Sequence, residues 1–187
     1  LVMATQNPIE TEGTYPLPEA QVDRFMMKVL VDYPTDEEEF VIVERVTGPA
    51  VTVSPVASTE QLAALQRECR RVYVDPSLVQ YAVRLVSATR NPDKHGLKDL
   101  RKYITFGASP RATINLTEGA RALAMLRGRT YVLPEDMSDL VPDVMRHRIV
   151  LSYEALSEGL TPDGLVGRIM AKIPAPAKPL EHEKLVA

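Results

Sequence analysis

A series of helix starts, each marked by its own cap, is the feature that most limits the folds open to this chain. In three of these starts a capping side chain directly precedes a proline at the first helical position. An N–H at that position has no partner inside the helix, so the N–H that proline lacks costs nothing there. Apolar residues then recur at helical spacing. Five or more such helices pack as a bundle, which predicts a helical domain over residues 51–176. The cap–proline pairs are Asp75-Pro76, Ser109-Pro110 and Thr161-Pro162.

Residues 1–50 have a different pattern. The apolar run Leu1–Thr5 predicts a strand, and a proline-rich loop and a short helix ending at Asp23-Arg24 follow it. The apolar run Phe25–Val31 predicts a second strand, and Thr35 is placed to cap a helix that continues to Val46. Two strands and a short helix do not fold alone. The expected fold class is therefore mainly α with a small α/β part.

Three smaller features complete the predicted layout. Pro142 lies inside a helix that starts at Pro134, and its missing N–H should kink or split that helix. The β-prone run Tyr103–Phe106 lies just before Gly107. Residues 177–187 are expected to be a flexible tail.

Composition excludes several functional classes. The net charge of −3 gives no general attraction to nucleic acid, and arginines such as those of Arg146-His147-Arg148 are scattered without aromatic residues between them. No apolar stretch approaches the length of a membrane span. The single Cys69 excludes an internal disulfide and suits a cytoplasmic setting. His95 and His182 lack partners at ligand spacing, so no protein-built transition-metal site is expected.

Three polar residues have positions that suit phosphate chemistry. Asn7 follows the first predicted strand, where an amide orients a water or simply caps the loop. Arg24 ends the short helix, where an arginine reaches a phosphate of a neighbouring molecule or forms an ion pair with Asp23. Arg111 lies in the first turn of the helix capped by Ser109, where the backbone already favours an anion. A surface arginine is the alternative for Arg111.

The phosphate-cradling half of a nucleotide site is not in these 187 residues. A P-loop has the pattern G-x-x-x-x-G-K-[ST], whereas Gly159 and Gly164 at that spacing are followed by Leu165. No apolar strand ends in paired acids for magnesium. We interpret the chain as a C-terminal piece of a longer protein.

Taken in order, these pieces resemble the C-terminal half of a MoxR-family AAA+ ATPase. Ala4-Thr5-Gln6-Asn7-Pro8 resembles the sensor-1 strand end, and residues 12–25 resemble the loop and arginine-finger helix. Residues 107–112 resemble the sensor-2 motif, and residues 128–136 and 146–148 resemble later signatures of the helical lid.

The resemblance implies the C-terminal edge of an αβα core in residues 1–50, followed by an all-helical lid in residues 51–176. It implies ATP and Mg²⁺ as cofactors, a ring commonly of six subunits, and a chaperone-like role in maturing or assembling protein complexes. Partners with a von Willebrand factor A domain are typical of that family. In this resemblance Asn7 polarises the attacking water, Arg24 is the finger acting in trans, and Arg111 contacts the phosphates from the lid.

Two other functional hypotheses remain open at this point. The helical domain is also compatible with a non-catalytic module for protein interaction or oligomerisation. A DNA-remodelling AAA+ relative is the third hypothesis, and it predicts salt-dependent DNA binding.

Overall fold

A computed structural model describes residues 2–5 and 17–177 of the chain. Within these residues helices dominate, which confirms the mainly α fold class. Two short strands and three 3-10 turns, Pro92–His95, Lys98–Tyr103 and Arg146–Arg148, connect them. The α-helices are α1 (Glu19–Val22), α2 (Asp36–Thr47), α3 (Thr59–Arg71), α4 (Pro76–Arg90), α5 (Pro110–Leu126), α6 (Pro134–Met145), α7 (Tyr153–Ser157) and α8 (Pro162–Lys172), and the strands are β1 (Ile104–Phe106) and β2 (Val150–Leu151).

The predicted caps start the helices of the bundle. Asp75, Ser109 and Thr161 each accept a hydrogen bond from a backbone N–H in the first turn of α4, α5 and α8. These caps satisfy donors that have no partner inside the helix. Local sequence therefore determines where these three helices begin.

All the buried residues of the described chain lie between Val72 and Ile173. We call this part the helical bundle (residues 72–173). Helices α4, α5, α6 and α8 supply most of its apolar core, and burial of this kind contributes ~25 cal/mol per Å² of apolar surface. Fully buried large side chains include Leu78, Tyr81, Leu85, Leu116, Met137, Met145, Leu165 and Ile169.

A small antiparallel sheet closes one side of the helical bundle. The predicted β-prone run forms β1, which pairs with β2 so that Ile104 is opposite Leu151 and Phe106 is opposite Val150. The sequence did not predict β2, because two residues are too short for a periodic signal. The pairing fixes the chain just before Gly107 and thus the entry to α5.

Neither of the two predicted strands near the N-terminus forms in the described part of the chain. Residues 2–5 and 27–35 have no regular secondary structure. Strand backbone needs a hydrogen-bonded neighbour, and within residues 2–5 and 17–177 no strand lies beside them. Val31, in the second run, is consequently 91% exposed. An apolar run typical of a strand does not form one where no partner strand lies beside it.

The expectation that Pro142 splits α6 is wrong, because α6 continues from Pro134 to Met145. Val141, Val144 and Met145 are fully buried around the proline. Their packing holds the last turn in place despite the hydrogen bond that proline cannot donate. The N–H of Arg146 donates to the Pro142 carbonyl and closes the helix end.

Candidate functional site

Arg24 lies just after α1, at the surface of the described chain. Arg24 is exposed, and its backbone N–H donates to the Gln21 carbonyl at 3.2 Å. Among residues 2–5 and 17–177 its guanidinium has no hydrogen bond or ion pair. The alternative in which Asp23 pairs with Arg24 is wrong, because Asp23 points to other partners. Asn7, the other predicted catalytic residue, lies outside the described residues.

Arg111 occupies the first turn of α5, as the sequence predicts. Ser109 Oγ accepts a hydrogen bond from the Arg111 N–H at 3.2 Å. The Arg111 side chain is 53% exposed, and its Nη1 lies 3.3 Å from Asp23 Oδ2. Because a helix N-terminus attracts negative charge, Asp23 occupies a position that suits an anion. Arg111 is therefore a half-exposed cation next to an anion-binding helix end.

Asp23 joins α1 to the helical bundle. Its carboxylate accepts hydrogen bonds from Ser109 Oγ at 2.9 and 3.0 Å and from Arg148 Nε at 3.1 Å, besides the contact with Arg111. The sequence pattern indicates only the neighbouring Arg24 as a partner for Asp23. Its true partners are more than eighty residues away, and no local pattern reports such a contact.

Arg148 is the most completely bonded side chain at the site. It is fully buried, and its Nη2 donates to the carbonyls of Asp23 at 3.0 Å and Phe25 at 2.5 Å. Its Nη1 donates to the carbonyls of Met26 at 3.2 Å and of Val144. With Nε on Asp23, all five guanidinium donors are used. Burial lowers the pKa of Arg148, and Asp23 opposes that shift.

The residues preceding Arg148 contact the same stretch of chain, which we call the 23–28 segment. His147 Nε2 donates to the Phe25 carbonyl at 3.2 Å, and Arg146 Nη1 donates to the Lys28 carbonyl at 2.6 Å. The Lys28 N–H in turn donates to the Asp143 carbonyl at 2.8 Å. The triplet Arg146-His147-Arg148 therefore holds the backbone of the 23–28 segment.

His147 makes that contact as a neutral ring. Burial, together with the charge of Arg148, lowers the pKa of His147 to about 4. Because Nε2 must donate to a carbonyl, the other nitrogen, Nδ1, carries the lone pair. Nδ1 is buried and has no hydrogen-bond partner among the residues that the structure describes. A proton added at Nδ1 would place a second charge beside Arg148.

The turn before α5 is fixed by the end of α4. A Cβ on Gly107 would lie 2.5 Å from the Thr89 carbonyl oxygen, so only glycine fits there. The Ala108 N–H donates to Thr89 Oγ1 at 2.9 Å, and Arg90 Nη1 donates to the Ala108 carbonyl at 3.1 Å. This close approach sets where α5 begins and hence where Arg111 stands.

The site presents exposed guanidinium groups, which are chemically suited to anionic oxygens. Arg24 follows α1, Arg111 lies at the N-terminal end of α5, and both are exposed. Arg148 is not available to nucleic acid because it is buried against the 23–28 segment. No group of three potential metal ligands occurs within the described ranges. A search of the same ranges finds no helix of the length and apolar character that crossing a bilayer requires.

Two family models match the chain. The model of the AAA lid domain matches residues 98–169. The model of the ATPase family associated with various cellular activities (AAA) matches residues 1–27. The first match covers most of the helical bundle, and the second covers Asn7 and Arg24.

Curated relatives match almost the entire chain. It is 46% identical to the chaperone MoxR1 of Mycobacterium tuberculosis over 94% of this chain and 47% of the relative. It is 36% identical to the protein MoxR of Paracoccus denitrificans, over 94% of this chain and 56% of that protein. The chain spans about half the length of the curated relatives it matches.

A solved structure has the same fold. It is the crystal structure of a candidate ATPase from Cytophaga hutchinsonii, which superposes with a TM-score of 0.87 at 42% sequence identity. The match covers 92% of this chain and 53% of that one.

Proposed function

Because the chain belongs to the MoxR family of AAA+ ATPases, we propose that it supplies the arginine finger and the helical lid of an ATPase that matures or assembles other protein complexes. In this proposal residues 1–50 are the C-terminal part of the nucleotide-binding core, residues 51–176 are the lid, and residues 177–187 are the tail.

The observation that carries the proposal is the contrast between Arg24 and its neighbour. Asp23 is engaged by Ser109, Arg111 and Arg148, whereas Arg24 is exposed and unpaired within residues 17–177. An arginine kept free beside an anchored backbone suits a finger that meets its phosphate on another subunit. Such fingers stabilise charge in phosphoryl transfer and accelerate it by ~10³ to 10⁵.

In this proposal the chain supplies only part of the site for ATP and Mg²⁺, namely two arginines for the phosphates. Arg111, at the N-terminus of α5, would contact phosphate oxygens from the lid, and Arg24 would contact those of a neighbouring subunit. When bound, Mg²⁺ neutralises charge on the phosphates. The P-loop pattern and paired magnesium-binding acids are not in the 187 residues, so we expect this chain by itself to have no ATPase activity.

The assembly and partners belong to the same proposal. A ring, of six subunits in the simplest form, would bring Arg24 of one subunit to the ATP of the next. Asn7 would orient the attacking water. Clients or partners with von Willebrand factor A domains, and a cytoplasmic location, are further parts of this proposal.

The test is Arg24→Ala in the full-length protein. We expect kcat to fall by at least ~10²-fold, about 3 kcal/mol of transition-state stabilisation, while the affinity for ATP stays nearly constant. The matched control is Arg84→Ala, which removes another exposed arginine, on α4, and should leave kcat unchanged. An unchanged kcat in Arg24→Ala rings would exclude the finger role.

A further inference from the structure

We propose that Arg148, assisted by His147 and Arg146, is a positioning residue that sets the location of Arg24. The inference rests on the proposed finger role of Arg24 and adds a residue of the lid to that function. Its basis is the set of hydrogen bonds that connect the triplet with the 23–28 segment.

Most hydrogen bonds from Arg148 to the 23–28 segment are made to backbone carbonyls, and Nε alone bonds a side chain there, that of Asp23. Arg148 donates to the carbonyls of Asp23, Phe25 and Met26, on both sides of Arg24. A planar guanidinium presents its donors in a fixed geometry. Three carbonyls bonded to one rigid group cannot move independently of it, so Arg148 fixes the backbone on either side of Arg24.

The position of Arg24 depends on this support. Its guanidinium makes no hydrogen bond or ion pair with another described residue, and the 23–28 segment forms no strand. The location of the finger is therefore set by the backbone that carries it. A displacement of ~1 Å in a catalytic group costs ~10²-fold in rate. Loosening the backbone should consequently lower the rate without changing how tightly ATP binds.

Asp23 gives the same site a second property. Its carboxylate is shared between Arg148 and Arg111. Arg111 is half exposed and has to turn toward phosphate when the lid contacts ATP, whereas Arg148 is fully buried. The segment therefore stays attached to the lid through Arg148 when Arg111 leaves Asp23. Movement of the lid over one ATP then moves the Arg24 that serves the neighbouring ATP.

The experiment is a double-mutant cycle in the full-length protein. Arg148→Gln is introduced alone and together with Arg24→Ala, and kcat, ATP affinity and melting temperature are measured for each ring. We expect Arg148→Gln alone to lower kcat by ~10-fold or more with ATP affinity nearly unchanged. In the Arg24→Ala background it should lower kcat no further, because residues that act as a unit are not additive.

Two other variants keep the test independent of folding. Arg129→Gln is the matched control, since Arg129 also bonds a buried carboxylate, that of Asp136, but makes no hydrogen bond or ion pair with the 23–28 segment. It should lower the melting temperature, and any effect on kcat should be equal in both backgrounds. His147→Ala removes one donor to Phe25 and serves if Arg148→Gln rings do not assemble; it should show the same non-additivity at smaller size.

Each outcome has a definite meaning. The inference is overturned if Arg148→Gln leaves kcat unchanged, or if it lowers kcat by the same factor with and without Arg24. It is also overturned if His147→Ala, used in its place, is additive with Arg24→Ala. An Arg24→Ala ring with normal kcat rejects the proposed function itself, and the positioning role with it.

Discussion

Helices α2 and α8 have the same kind of N-cap but differ in how much of each helix is buried. Thr35 Oγ1 accepts the Glu38 N–H at 3.3 Å in α2, and Thr161 Oγ1 accepts the Gly164 N–H at 3.1 Å in α8. Helix α8 buries Leu165, Val166 and Ile169, whereas α2 buries no residue. A cap therefore determines where a helix starts but not whether the helix contributes to the core.

The consequence is a chain with two kinds of stability. A helix of twelve residues is marginally stable in water on its own. Helix α2 is therefore stabilised mainly by local interactions such as its N-cap. The helices of the bundle rest on shared apolar burial. Mutations should therefore affect the two parts differently, and the following predictions test this in the 187-residue chain.

Removing a core side chain gives the largest contrast. Leu116→Ala should lower the free energy of unfolding by about 4 kcal/mol, because the lost side chain is fully buried and leaves a cavity. Phe40→Ala in α2, where Phe40 is 65% exposed, should change it by less than about 0.5 kcal/mol. Chemical denaturation of both variants measures the difference. Equal losses would mean that α2 packs as tightly as α5.

Removing a buried charge should come next. Asp136 is fully buried and accepts hydrogen bonds from Arg127 at 2.7 Å and Arg129 at 2.5 Å. Burial raises the pKa of Asp136, but its hydrogen bonds outweigh this and hold the pKa below the usual value. Asp136→Ala should cost about 3 kcal/mol, since Arg129 then loses its carboxylate partner, while Arg127 keeps its ion pair with Asp139.

The control for that variant is an exposed ion pair. Glu68 and Arg71 are 3.2 Å apart on the surface of α3, and Glu68→Gln should cost less than about 0.5 kcal/mol. A cost for Asp136→Ala as small as that of Glu68→Gln would show that the buried cluster is not needed for the bundle.

Acid should weaken the contact between the helical bundle and the 23–28 segment. The pKa of His147 is lowered from 6.5 to about 4 in the folded chain. Between these pH values the unfolded chain binds a proton that the folded chain does not. The free energy of unfolding should therefore fall as the pH drops from 6.5 to 4. His147→Gln, which still donates to Phe25, should have a shallower slope in this interval; an unchanged slope would assign the acid sensitivity to other groups.

Removing an N-cap should have the smallest effect on stability. Thr161 and Thr35 offer a closely matched pair of caps for this comparison. Thr161→Ala should cost about 1 kcal/mol in global stability, because α8 is part of the core. Thr35→Ala removes the same kind of bond from α2, and it should lower the helix signal in circular dichroism without shifting the main unfolding transition. A shift of that transition by Thr35→Ala would show that α2 and the bundle unfold together.

The parts of the fold that could be predicted from the sequence are those determined locally. The starts of α4, α5 and α8 follow from side chains within a few residues of each helix. The strands predicted at residues 1–5 and 25–31 required a neighbouring strand that the described part of the chain does not contain. Pro142 did not split α6, because its helix neighbours Val141, Val144 and Met145 are packed into the core. Tertiary context decided each of these failures.

The site divides in the same way. The first-turn position of Arg111 followed from Ser109 and Pro110, which are its immediate neighbours. The links of Asp23 to Arg148, and of His147 to Phe25, join residues more than a hundred positions apart. A single sequence carries no periodic signal for such contacts. The sequence therefore indicated the positions of Arg24 and Arg111, but not the distant residues that hold the backbone around Arg24.

Native-state hydrogen exchange of this chain tests most directly whether the bundle holds the segment that carries Arg24. The Lys28 N–H donates to the Asp143 carbonyl at 2.8 Å, so its exchange reports attachment of the segment. If the bundle holds this segment, the Lys28 amide is protected to nearly the same free energy as the amides of α6, while the amides of α2 exchange through local opening. A Lys28 amide that exchanges as fast as those of α2 would contradict this attachment.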